Sequence, residues 1–385
     1  MTRDPAARPD LQRPTTDPAP EPEALPWARH LRPTLAELSI YDVPPADRGQ
    51  ARMHANECPE PWPAEVMDAL AEVVRGIELG RYPDTSGRRL RAVLGRRHGC
   101  DPDRVVLGNG SDEIIGLLLQ ALSSPGPAPG VVVTPSPTFF MYGHIAQVLG
   151  MEIREVLLGE DLELSGGPLD DALAGASVCF LARPNNPTGS LWSAARIRAL
   201  VADHPDVVFV IDEAYAAYAP PGSSLWDPAA PSNQVYMSTL SKVGLAALRL
   251  GYCIAHPVLA RAMNKVRHPY NVSATSLAIA ETVLERFGAV QEAMVARALA
   301  SRTRLRSLLA TIPGGEVLPS AGNLVLVRLR GDDEAPRLAA HLAARGVLVK
   351  DVSHHPRLHR CLRVSVGTHD ELDRLEAALL TWDAG

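Results

Sequence analysis

Apolar and polar positions along the 385-residue chain follow two periods, and the periods change along its length. Between about Pro63 and Ala255 the chain carries short apolar runs at Arg104–Leu107, Val131–Thr134, Glu152–Val156, Ser177–Leu181, Val207–Ile211, Val235–Thr239 and Tyr252–Ala255. Runs of this length, rich in valine and isoleucine, suit strands buried on both faces. Stretches with helical spacing, such as Asp112–Leu122 and Phe139–Leu149, fall between them. Strand–helix alternation predicts an α/β architecture, a mostly parallel sheet covered by helices. Ligands of such sheets sit beyond the carboxyl ends of the strands.

After Pro257 the pattern is helical to about Leu309. A strand (Leu324–Leu329), a helix (Arg337–Arg345), two strands (Val347–Lys350 and Cys361–Val366) and a helix (Glu371–Trp382) follow, which predicts a smaller α+β domain. We therefore expect an N-terminal arm over 27–62, a large domain over 63–270 and a small C-terminal domain over 271–385. Residues 1–26 stand apart, with seven prolines among charges and few aliphatics. Such a segment cannot bury enough surface to order itself, and we expect a disordered tail.

Composition narrows the picture. Hydrophobic residues are 46% and charged residues 21%, ordinary for a soluble enzyme. A net charge of −6 offers no general attraction to nucleic acid or anionic membrane. The arginines of Arg88-Arg89-Leu90-Arg91 read as a solvated helix face. The five cysteines (58, 100, 179, 253, 361) form no C-x-x-C pair, which argues against a disulfide framework or structural zinc and suits a reducing cytoplasm. The sequence shows no membrane-spanning run and no secretion-signal pattern.

Three motifs carry candidate chemistry. Lys242 lies in Ser238-Thr239-Leu240-Ser241-Lys242-Val243-Gly244. Asp212 closes an apolar strand and opens Asp212-Glu213-Ala214-Tyr215, while Asn186 sits in Asn185-Asn186-Pro187-Thr188-Gly189. A desolvated lysine attacks aldehydes. An aspartate is rarely buried without a partner, and a pyridinium N–H is one. An amide N–H from Asn186 and the hydroxyl of Tyr215 suit a ring oxygen. Singly, a turn, a surface lysine or a helix cap explains each motif; together they describe the protein side of a pyridoxal phosphate site.

An anion also needs donors. Leu107-Gly108-Asn109-Gly110-Ser111-Asp112-Glu113 runs from a strand into a helix, whose free N–H groups and dipole favour a phosphate. Neither a G-K-[ST] nor a full G-x-G-x-x-G follows, so nucleotide loops lose support. Ser241 and Arg249 flank the lysine with a hydroxyl and a guanidinium fork. Phe139 is placed either to stack on a ring or to fill the core.

Taken together, these motifs resemble the fold-type-I pyridoxal-phosphate aminotransferases, and in detail the histidinol-phosphate aminotransferase family. The resemblance runs from about His30 to Ala378 and rests also on Met53-His54-Ala55-Asn56-Glu57-Cys58-Pro59, Arg81-Tyr82-Pro83-Asp84 and Cys361-Leu362-Arg363-Val364-Ser365-Val366-Gly367-Thr368. It implies that Lys242 joins the cofactor aldehyde and shuttles the Cα proton, that Asp212 pairs with the ring nitrogen, and that Asn186 and Tyr215 hold the ring oxygen. Gly110, Ser111, Asp112, Ser241 and Arg249 would surround the cofactor phosphate. Tyr82 would reach the phosphate of a neighbouring subunit in a homodimer. Arg363, Lys350 and Tyr41 would grip the substrate anion, with Asn186 beside them. No metal is implied. The implied reaction transfers the amino group of L-histidinol phosphate to 2-oxoglutarate in the cytoplasm. Another aminotransferase, or a lyase such as threonine-phosphate decarboxylase, would use the same cradle. Lys350 and Ser238 stand where this family often has arginine, and Thr368-His369-Asp370-Glu371 departs from its usual ending; these differences bear on substrate rather than cofactor.

Overall fold

The computed structural model describes residues 49–124 and 129–383, together with positions 27, 30, 32 and 38. The proline-rich segment and Tyr41 lie outside the described residues.

One sheet of seven strands dominates the molecule. Its members are β2 (Val105–Asn109), β3 (Val131–Ser136), β4 (Glu152–Leu157), β5 (Val178–Ala182), β6 (Val208–Asp212), β7 (Gln234–Thr239) and β8 (Leu250–Ile254), after a short β1 (Ala51–Arg52) that pairs elsewhere. Their spatial order is β2-β8-β7-β6-β5-β3-β4. All neighbours pair in parallel except β8, which runs antiparallel to both β2 and β7. The expected strands are all present to within two residues at each end. The reversal of β8 was not legible, because a buried strand reads the same in either direction.

Alternation along each strand divides the core into faces. In β5, Val178, Phe180 and Ala182 join one cluster with the helices Ser111–Leu122 and Met141–Leu149. Cys179 and Leu181 join another with the helix Ala194–Asp203. The helices Ala64–Arg75, Arg88–His98 and Ala274–Arg286 cover β2, β7 and β8 on their remaining face. In this cover Arg88 and Arg89 are exposed as expected, but Arg91 is not solvated. Its guanidinium donates to the carbonyls of Pro102 and Val105 and pairs with Asp103 at 2.6 Å. One turn of helix aims that side chain at the end of the next connection, which needs donors.

A second, antiparallel sheet is formed by β9 (Glu316–Val317), β10 (Leu324–Arg328), β12 (Lys350–Asp351) and β13 (Cys361–Ser365), in the order β12-β13-β10-β9. Between them, β11 (Val347–Leu348) pairs in parallel with β1. The expected single strand Val347–Lys350 is thus two short strands with different partners. Helices Gly288–Leu309, Glu334–Ala343 and His369–Leu379 pack on this unit around Val325, Val327, Leu338, Leu362 and Leu375. Among the described residues no helix is long and apolar enough to cross a membrane.

Candidate active site

Asp212 is the last residue of β6 and is 5% exposed. The two-residue period puts it on the same face as Val210, Phe180 and the helix Met141–Leu149. Tyr142 from that helix stacks on Phe180 at 4.6 Å and donates its hydroxyl to Asp212 Oδ2 at 2.5 Å. The backbone N–H of Ala214 donates to Oδ1 at 3.0 Å. Burial pushes the Asp212 carboxyl up to about 6, against the pull of these two hydrogen bonds and of Lys242. The same period turns Glu213 away, where Ser224 Oγ and Leu225 N satisfy it at 2.5 and 2.6 Å.

Lys242 ends a short 3₁₀ turn, Leu240–Lys242, that follows β7 directly. Thr239 starts this turn by accepting from Ser241 N at 3.1 Å. Parallel pairing of β6 with β7 brings the ends of both strands to one edge of the sheet. Lys242 Nζ donates to the carbonyl of Ala55 at 3.0 Å and lies 5.9 Å from the Tyr215 ring centroid. Tyr218 braces the turn by donating to the Lys242 carbonyl at 2.6 Å.

At the third corner, Gly110 precedes the helix Ser111–Leu122 with φ 83°. Its φ favours glycine, and a Cβ there would meet Arg249 Nη2 at 2.5 Å and displace the guanidinium from this helix start. Gly251 is equally confined, since its Cβ would sit 2.5 Å from the Ser111 nitrogen. Arg249 donates to Ser241 Oγ at 3.3 Å and to Asp112 Oδ2 at 3.2 Å. Ser111, Asp112, Ser241 and Arg249 therefore surround one helix N-terminus, the arrangement that holds anions.

Asn186 and Tyr215 meet through a residue to which the sequence reading gave no role. Asn56 Nδ2 donates to Tyr215 Oη at 3.1 Å and to Asn186 Oδ1 at 3.3 Å. Arg363, on β13, also donates to Asn186 Oδ1, at 2.7 Å, and to the carbonyl of His54. Lys350 is directly opposite Arg363 in the strand register, so both cations project from one face of the small sheet. Phe139 is half-buried, with its ring edge on Tyr142 at 5.5 Å. Tyr82 is 79% exposed and stacks on Tyr270 at 4.3 Å.

The sequence reading missed Tyr142 and Asn56. Tyr142 falls in the helical stretch Phe139–Leu149 and carried a local signal; Asn56 falls in the run Met53–Pro59 and carried none beyond its residue type. Tyr142 lies three positions after Phe139, on the turn that must face the strand ends, and Asn56 is a lone amide in an otherwise apolar and charged run.

Residues 48–379 match the family model for class I and II aminotransferases. The chain belongs to that family. It is 40% identical to a histidinol-phosphate aminotransferase of Burkholderia lata, over 91% of this chain and 96% of the relative. A histidinol-phosphate aminotransferase from Sinorhizobium meliloti, solved in complex with pyridoxal 5′-phosphate, superposes with a TM-score of 0.81 at 27% identity, covering 91% of this chain and 96% of that one. An L-threonine-O-3-phosphate decarboxylase from Porphyromonas gingivalis shares the fold, with a TM-score of 0.73 at 22% identity over 86% of this chain and 98% of that one.

Proposed function

We propose that the protein is a pyridoxal-phosphate-dependent transaminase that moves the amino group of L-histidinol phosphate to 2-oxoglutarate, giving imidazole-acetol phosphate and glutamate in histidine biosynthesis. One observation carries the reading: a buried carboxylate, a lysine amine and a helix-start anion cradle share one edge of the sheet, beside an arginine bonded to Asn186.

The residues present fit the cofactor. Asp212 is a desolvated acid held by only a phenol and an amide, and a cationic N–H is the partner that would keep it ionised. At the start of the helix Ser111–Leu122, Arg249 lies over Gly110 and bonds Ser241, a donor set of the kind that holds a phosphate. Bound pyridoxal phosphate supplies an electron-poor ring that stabilises negative charge at the donor's Cα.

The chain supplies the rest. Asp212 holds a proton at the ring nitrogen. Lys242 Nζ, held at the sheet edge by the Ala55 carbonyl, would take the proton from Cα. Asn186 and Tyr215 would donate to the ring oxygen, and Phe139 would cover the ring. Arg363, with Lys350 opposite it, would take the substrate anion. A guanidinium and an ammonium together serve the phosphate of the donor and the carboxylate of the acceptor. Tyr82 is exposed, and the family resemblance gives it the phosphate of a neighbouring subunit, so the reading includes a homodimer as the working form. Residues 63–270 act as the cofactor domain and 271–385 as the substrate-side domain, with 27–62 as the arm. The unpaired cysteines suit the cytoplasm.

A donor panel with 2-oxoglutarate tests this. Histidinol phosphate is expected to give glutamate far faster than phenylalanine, aspartate or threonine phosphate. Release of carbon dioxide from threonine phosphate, without glutamate, would replace the transaminase by a lyase.

A further inference from the structure

The hydrogen bonds around Asn56 have a forced direction. Arginine carries only N–H donors, so the Asn186 atom facing Arg363 must be the amide oxygen. Asn56 touches that same oxygen at 3.3 Å, so it must present its own NH₂ group there. The NH₂ group reaches Tyr215 Oη at 3.1 Å, and the phenol oxygen must accept. Two consequences follow for donors not yet used. The Tyr215 proton and the Asn186 NH₂ group are both turned away from Asn56. Among the described residues neither donates to a protein group.

The far side of Asn56 locks the same direction. Its backbone N–H donates to Ser365 Oγ at 2.9 Å, and Ser365 returns its proton to Asn56 Oδ1 at 2.7 Å. Asn323 Nδ2 holds the Asn56 carbonyl at 2.9 Å. Asn56 is 2% exposed and sits at φ 54°, a left-handed conformation that asparagine tolerates better than most residues. Such a network costs free energy if any member is reversed.

We infer that Asn56 is a positioning residue that fixes the polarity of the ring-oxygen site, aiming the Tyr215 hydroxyl and the Asn186 amide as donors at an anionic ring oxygen. This inference rests on the pyridoxal phosphate reading above. Direct contact between Asn56 and the cofactor is not needed. It acts by denying its two neighbours any other way to point.

The test compares pyridoxal 5′-phosphate with its analogue lacking the ring hydroxyl, 3-deoxypyridoxal 5′-phosphate, measuring Kd for each. Two donors aimed at one oxygen make the wild type favour the natural vitamer by about tenfold or more. Asn56→Asp keeps shape and tolerates the left-handed backbone, but its carboxylate claims the Tyr215 proton. The preference is expected to fall to about onefold, with affinity for the deoxy analogue nearly unchanged. Asn56→Ala removes the constraint without reversing it, and an intermediate ratio is expected. If Asn56→Asp does not fold, as judged by circular dichroism, the Asn56→Ala ratio decides alone. A wild-type ratio in the folded variants, or equal losses for both ligands, means that Asn56 only holds the fold, and overturns the inference. A wild-type protein that binds neither vitamer overturns the functional reading itself, and this inference with it.

Discussion

The two ends of the proposed ring site are built in contrasting ways. The nitrogen end comes from one sheet and the helix packed on it. Asp212 and Tyr142 are 70 residues apart, and strand alternation plus a stacked aromatic pair deliver one to the other. The oxygen end is assembled from three distant parts of the chain. Asn56 meets Ser365 across 309 residues, and Arg363 meets Asn186 across 177. The first end is therefore as rigid as the large core. The second depends on how the small sheet sits, and the substrate-side arginine is bonded directly to a residue of the ring site. Binding of a substrate anion at Arg363 would be felt at Asn186 before any bond is broken.

This contrast is most severely tested at the residue between the two ends. Lys242→Ala is expected to remove turnover, by several orders of magnitude, together with the yellow colour of protein supplied with the vitamer. Near-normal turnover would sink both halves of the picture. A smaller effect is expected at the oxygen end. Arg363→Ala should raise KM for donor and acceptor alike, by about tenfold to a hundredfold, if one guanidinium serves both anions as proposed. A rise for one substrate alone would divide the pocket between Arg363 and Lys350.

A stability measurement, with no turnover to read, isolates the nitrogen end in cofactor-free protein. Asp212 titrates at about 6 when folded, above the ordinary carboxyl value of 3.8. Between those values the native state binds more protons than the unfolded chain. Its stabilising share is complete at pH below 3.8 and is lost as pH rises through about 6. The loss is on the order of 3 kcal/mol. In thermal melts from pH 4 to 7, wild type should lose stability relative to Asp212→Asn as pH rises through about 6. Parallel curves would show that burial does not raise this acid.

Much of the nitrogen end was legible because its cause is local. An aspartate closing an apolar strand and a lysine just past another are visible in a string of letters, and parallel strands bring such ends together. The anion cradle was legible for the same reason, with Gly110, Ser111, Ser241 and Arg249 all next to strand ends. The oxygen end was legible only in part. Asn186, Tyr215 and Arg363 could be named, but Asn56 could not be given a role. Its importance lies in partners hundreds of residues away, and neither period nor propensity reports them. The direction of β8 and the division of Val347–Lys350 between two partners were hidden likewise, since pairing is a property of neighbours rather than of a segment.

The pairing of β1 with β11, which seats Asn56 beside β13, has a consequence for how the protein is made. A ribosome adds about 5–20 residues per second. Asn56 is thus added to the chain some 15–60 s before Ser365, given the 309 residues between them. Until then a nascent chain owns the lysine and the acid but has no finished place for the ring oxygen. A molecule cut short before β13 would lack both Ser365, which orients Asn56, and Arg363, which bonds Asn186.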